Sequence, residues 1–140
     1  MHPTESFLDV DSTDGYEHLN NTSLVIKLQY GSTSFLFAGD AEVPVEEQLD
    51  VVYAEFLRSD VLKAGHHGSI TSSSEDFLSN VQPKEVVVSV GKFNKFHHPS
   101  AKVLERFKNI GAHIHRTDDE GAVIFESDGR SIKHVNWRKD

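Results

Sequence analysis

The chain has 140 residues, no cysteine, a formal net charge of −8, and 26% charged against 37% hydrophobic residues. That length holds one domain with a real core and not two. Without cysteine there is no disulfide framework or thiolate metal site, so any metal rests on His, Asp, Glu or water. The acidic balance opposes sequence-independent nucleic-acid binding, which relies on Lys and Arg neutralising phosphates. It leaves room for a nuclease whose metals and a few local cations supply the positive field. No apolar run approaches the ~18 residues of a membrane span. The start, Met1 to Ser6, also lacks the layout of a signal peptide, so the chain is expected to be soluble as given.

Residues 1–20 are polar and read as an entry segment with at most one short strand. Leu24, Ile26 and Leu28 alternate with Val25, Lys27 and Gln29, which predicts a strand over 23–30. Gly31-Ser32 is a two-residue turn, so 33–38 returns as the second strand of a hairpin. Gly39-Asp40-Ala41-Glu42 breaks the pattern. Val45, Leu49, Val52, Tyr53 and Phe56 then fall at helical spacing, with Pro44 in the first turn. Val61 to Ala64 predicts a third strand running into Gly65-His66-His67-Gly68. The hydroxyls Thr71 to Ser74, followed by Glu75, read as the start of a short helix to about Val81 rather than as nucleophiles.

A fourth strand is expected over 85–90, with Val86-Val87-Val88 buried on both faces. After the loop 91–99, a helix over 100–110 carries Val103, Leu104, Phe107 and Ile110 on one face, and Gly111 caps it. Short strands at 112–115, 122–127 and 131–135 follow, with turns at 119–121 and 128–129 and a frayed tail at 137–140. The order ββαβαβαβββ is an α/β arrangement.

Strands 33–38, 61–64 and 86–90 are joined by helices, so they are expected to run parallel and to present their carboxyl ends on one edge. That edge receives Asp40, then His66 and His67, then Asn94, His97 and His98. Strands lie ~4.8 Å apart, so ligands from neighbouring ends can reach one metal. Binding sites of α/β sheets sit at this edge. Six of the nine histidines pair as His66/His67, His97/His98 and His113/His115. Taken alone, Asp40 reads as an N-cap of the next helix, and His98 as a lead-in to Pro99. His113 and His115 share one strand face but read as solvated, while His2, His18 and His134 read as isolated and inert.

Several motifs occur in order: Asn21-Thr22-Ser23-Leu24-Val25, Phe37-Ala38-Gly39-Asp40-Ala41-Glu42, Val61-Leu62-Lys63-Ala64-Gly65-His66-His67-Gly68-Ser69, Ser89-Val90-Gly91 through Asn94, His98-Pro99-Ser100, and Arg116-Thr117-Asp118 with Gly121. Together they resemble the metallo-β-lactamase domain of the ComEC-type competence DNA-uptake proteins and their soluble relatives, over about residues 20–130. The resemblance implies an αββα sandwich with one or two divalent metals, Zn or Mn. Asp40 would be the carboxylate that can bridge metals. One of His66 and His67 would be a ligand, and the other would hydrogen-bond substrate phosphate. His67 and His98 are then the catalytic candidates. Asn94, His98, Ser69 and Lys63 are the substrate-side candidates, with Lys63 behind the turn.

The family's His-x-His-x-Asp-His motif is absent from these 140 residues, and position 97 carries a histidine where relatives have a small residue. The chain therefore resembles only the second half of the sandwich, with residues 21–136 as a partial domain and a mixed sheet with crossover helices. The expected function is half of a metal-dependent phosphodiesterase or DNA nuclease of competence DNA uptake. Its expected partner is the missing N-terminal half or a second copy, and DNA through the complete domain. A non-catalytic assembly module of the same fold, or a hydrolase of another ester or lactam, are the alternatives.

Overall fold

A computed structural model describes residues 16–138; the entry segment up to residue 15, with His2, lies outside the described residues. A 3-10 helix covers Tyr16–Thr22, at the end of the segment where the sequence allows at most one short strand. The hairpin follows as expected: β1 (Ile26–Tyr30) pairs antiparallel with β2 (Thr33–Phe37) across Gly31-Ser32. Helix α1 (Val43–Tyr53) begins with Pro44 in its first turn, then tightens into a 3-10 turn over Ala54–Leu57. Strand β3 (Val61–Lys63) leads through a 3-10 turn, Gly65–Gly68, to α2 (Glu75–Val81), whose N-cap Ser74 accepts from the Phe77 N–H. Strand β4 (Glu85–Val88), α3 (Ala101–Asn109) and β5 (His113–Arg116) complete the repeat. One helical turn, α4 (Thr117–Glu120), occupies the expected 119–121 turn, ahead of the hairpin β6 (Ile124–Ser127) and β7 (Ile132–Val135).

The main sheet has the order β1-β2-β3-β4-β5, and β2 through β5 are mutually parallel. It is the mixed α/β sheet the sequence predicts, with β5 added alongside β4. Alternate strand residues point to opposite faces. One face sends Leu36, Leu62, Val86 and Val88 into a core with Val45 and Leu49 of α1, Phe77, Leu78 and Val81 of α2, and Val103 and Phe107 of α3. Each such side chain fully removed from water contributes about 1.5–3 kcal/mol. Val52 and Phe56, at helical spacing with this set, instead face solvent, and for Phe56 the helix has already tightened into the 3-10 turn. Val87 is only half-buried, so β4 is not buried on both faces.

Among the described residues, the second face is covered at one end only. There the separate β6–β7 hairpin lies over the amino ends of the strands. Thr33 Oγ1 meets Ser127 Oγ at 2.7 Å, the Ser32 N–H donates to the Gly129 carbonyl, and Thr33 and Val61 are buried. Beyond the hairpin, Leu24 ahead of β1, Ile26 and Leu28 of β1 and Phe37 of β2 remain 43% to 60% exposed. The register puts Ile26 opposite Phe37 and Leu28 opposite Phe35, so they form one continuous apolar strip running to the β1 edge.

Candidate functional site

The carboxyl ends of β2, β3 and β4 meet at the predicted edge. After β3, His66 and His67 both adopt left-handed backbone, at φ 39° and 54°. The flanking glycines make this turn possible. A Cβ on Gly65 would meet the Ala41 carbonyl oxygen at 2.5 Å, and one on Gly68, at φ +79°, would meet Pro99 Cβ at 2.7 Å. The turn is therefore pressed between the Asp40 loop on one side and the His98-Pro99 loop on the other.

The two imidazoles are oriented in the same way from different partners. His67 Nδ1 lies 2.6 Å from the Ser89 carbonyl, which accepts its N–H and leaves Nε2 as the free lone pair. That Nε2 stands 3.6 Å from Asp40 Oδ1. His66 Nδ1 lies 2.8 Å from Glu42 Oε1, and Glu42 also accepts from Thr71 Oγ1 at 2.6 Å. Ser69 Oγ joins Thr71 Oγ1 at 2.9 Å, which makes a chain from a buried hydroxyl to His66. Asn20 Nδ2 approaches the other ring nitrogen of His66 at 3.4 Å.

Asp40 is not an N-cap: Glu42 holds that position, and the Asp40 N–H is fixed by Ser23 Oγ at 3.0 Å. Lys63 donates to the Gly39 carbonyl and stands 3.7 Å from Asp40 Oδ1. Burial pushes its ammonium below the usual lysine value, and Asp40 opposes that shift. His98 stacks on Phe96 at 5.9 Å and meets His66 edge-on at 5.5 Å. Burial lowers its affinity for a proton, and the neighbouring imidazoles His66 and His67 lower it further, so His98 favours the neutral ring. Asn94 is committed to its own loop. Its Nδ2 donates to the Gly91 and His98 carbonyls and its Oδ1 accepts from the His98 N–H. Its amide thus sets the position of His98.

Asp40, His66, His67, His98, Lys63 and Ser69 are thus brought together, with His97 left outside on an exposed left-handed residue. Glu42 and Asn20 were missed by sequence reasoning. Glu42 lies two residues after Asp40 at the same strand end, a signal that was available; nothing local marks Asn20. As metal donors, His67 Nε2 and Asp40 Oδ1 have the spacing of neighbouring ligands on one ion. A zinc site takes at least three protein ligands. Among the described residues no third His or carboxylate closes on this pair. Among the described residues, His67 and Asp40 are thus two of the donors that a metal centre takes.

Comparison with known proteins agrees with this arrangement. The model of the metallo-beta-lactamase superfamily matches residues 5–92. The chain is 38% identical over 111 residues to ComE operon protein 3 of Bacillus subtilis (strain 168), covering 79% of this chain and 14% of that protein. It is 41% identical over 106 residues to Competence protein ComA of Neisseria gonorrhoeae, covering 76% of this chain and 15% of that one. Recombination protein 2 of Haemophilus influenzae is 38% identical over 105 residues, which is 74% of this chain and 13% of its own length. The chain thus spans about one seventh of the length of the curated relatives it matches. With the His-His turn, its aspartate and the parallel strands that carry them all in place, the chain belongs to the metallo-β-lactamase superfamily.

Proposed function

We propose that this chain contributes one part of the centre of a metal-dependent phosphodiesterase acting on DNA, with Zn or Mn as the metal. Superfamily membership implies divalent-metal binding in general. The observation that carries the reading is the pair His67 Nε2 and Asp40 Oδ1, 3.6 Å apart at the carboxyl edge. In this reading these two are the metal ligands of the chain. The Ser89 carbonyl sets the tautomer of His67, as an outer partner of a ligand histidine does. His66, held by Glu42, and the neutral His98 turn toward the substrate phosphate. Lys63 holds Asp40 in place from behind.

The loop after β4 favours a nucleic acid over a lactam. Phe93 and Phe96 are 94% and 64% exposed, with Lys92 and Lys95 lying over their rings. Exposed aromatics interleaved with cations are a stacking and phosphate-tracking surface for single strands, and here they stand next to His98. The remaining ligands come from outside this chain, from a segment bearing the absent His-x-His-x-Asp-His motif. That segment would also cover the apolar strip on the open sheet face.

The test is digestion of linear DNA with Mn²⁺ or Zn²⁺, alongside a lactam reporter, by this chain combined with a segment bearing the His-x-His-x-Asp-His motif, and by the same pair carrying Asp40→Ala or His67→Ala. Metal content after dialysis is read in parallel. Cleavage of DNA that both substitutions abolish, with less than one metal retained per isolated chain, is the expected result. Equal cleavage by parent and variants, or turnover of the lactam in preference to DNA, overturns the proposed function. A full metal complement on a monomer overturns the incompleteness.

A further inference from the structure

A second cluster of donors lies away from the carboxyl edge, where the hairpin covers the sheet. His115, on β5, faces the same side of the sheet as Glu85 on β4, and its Nε2 lies 2.8 Å from Glu85 Oε2. Its Nδ1 lies 3.2 Å from Glu120 Oε2. The other oxygen of Glu120 accepts the Arg116 N–H at 3.0 Å, so α4 aims Oε2 at the imidazole. From the hairpin, His134 brings its Nε2 to 3.9 Å from the same Oε2, and its ring centroid stands 4.3 Å from that of His115. Phe125, opposite His134 in the hairpin ladder, packs against both rings.

We propose that His115 Nδ1, Glu120 Oε2 and His134 Nε2 form a second divalent-metal site, of the zinc class, that pins the β6–β7 hairpin to the sheet. The three donor atoms all lie within 4.8 Å of one another. Zinc–ligand bonds of about 2.0–2.2 Å place neighbouring donors roughly 3.3 Å apart, so the cluster needs only a small closure. His134 and Glu120 are partly exposed and free to make it. Two imidazoles and one carboxylate select a borderline first-row ion over Mg²⁺ or Ca²⁺, and three protein ligands leave a position for water. Glu85, on the far nitrogen of His115, is the outer carboxylate that fixes the tautomer and strengthens a ligand histidine. None of these residues belongs to the carboxyl-edge site, so the inference stands apart from the proposed function.

The experiment titrates Zn²⁺ into the metal-stripped chain carrying Asp40→Ala and His67→Ala, which removes the carboxyl-edge donors, with Co²⁺ as the spectroscopic probe. One ion per chain with the absorption of a four-coordinate cobalt site is expected. Binding should be lost on adding His134→Ala and weakened about 10–100-fold by Glu85→Ala. Circular dichroism of the metal-free variants checks folding; should His134→Ala fail to fold, Glu120→Gln takes its place. No binding in the Asp40/His67 background overturns the proposal, leaving an imidazolium held between two carboxylates. Binding that survives His134→Ala and Glu120→Gln overturns it as well.

Discussion

Asp60 joins three strands through one carboxylate. Its Oδ2 accepts the Ser34 N–H at 3.0 Å, its Oδ1 accepts Lys84 Nζ at 3.0 Å, and its backbone carbonyl accepts from Lys84 and Glu85. Burial raises its pKa, but the bonds from Lys84 and Ser34 outweigh burial and hold it below the ordinary carboxylate value. A carboxylate depressed in the folded state stabilises above its unfolded pKa, and that contribution is lost as pH falls through the folded value. Urea unfolding of parent and Asp60→Ala should therefore differ by about 1–3 kcal/mol near neutral pH. The gap should close progressively below pH ~4. At this scale the candidate site was only partly legible. Asp40, His66 and His67 stand out because glycines flank them and the strand ends align them. His115 reads as solvated and His134 as isolated in the sequence, because their partners Glu85, Glu120 and each other are brought together only by the fold.

The Gly65–Gly68 turn is the element on which the geometry depends. In Gly68→Ala the new Cβ meets Pro99, and the backbone must hold φ +79° against its preference. A loss of about 2 kcal/mol or more is expected in thermal or denaturant unfolding. Metal retention should fall with it, since the imidazoles move with the turn. The helices and strands were legible from periodicity because each buries one face and exposes the other. The errors have physical causes. The α1 spacing runs on through Phe56 although the chain tightens at Ala54, and the Val86-Val87-Val88 run reads as core although the face carrying Val87 is half open. The α4 turn carries Thr117, Asp118, Asp119 and Glu120, which has no apolar period to betray a helix.

For the whole molecule, the uneven covering of the sheet matters most. One face is closed by three helices, while the other exposes Ile26 and Leu28 of β1, the strand at the sheet's edge among the described residues, and Phe37 of β2. Such a strip associates with a partner or with itself. Light scattering should show a mass that grows with concentration. Leu28→Lys with Phe37→Lys should return it to the monomer value, with a stability change within about 0.5 kcal/mol per site because neither side chain is in the core. The hairpin over the other end shares no ladder with the main sheet, whereas β2, β3 and β4 are paired on both sides. Its grip rests on a few turn bonds and the side chains around Thr33 and His115. It is therefore a separate opening unit, able to detach while the parallel strands stay folded. Amides of 35–37, 61–63 and 86–88 should exchange with solvent only on global unfolding. Those of 124–127 and 132–135 should exchange sooner, and zinc should slow that second group alone.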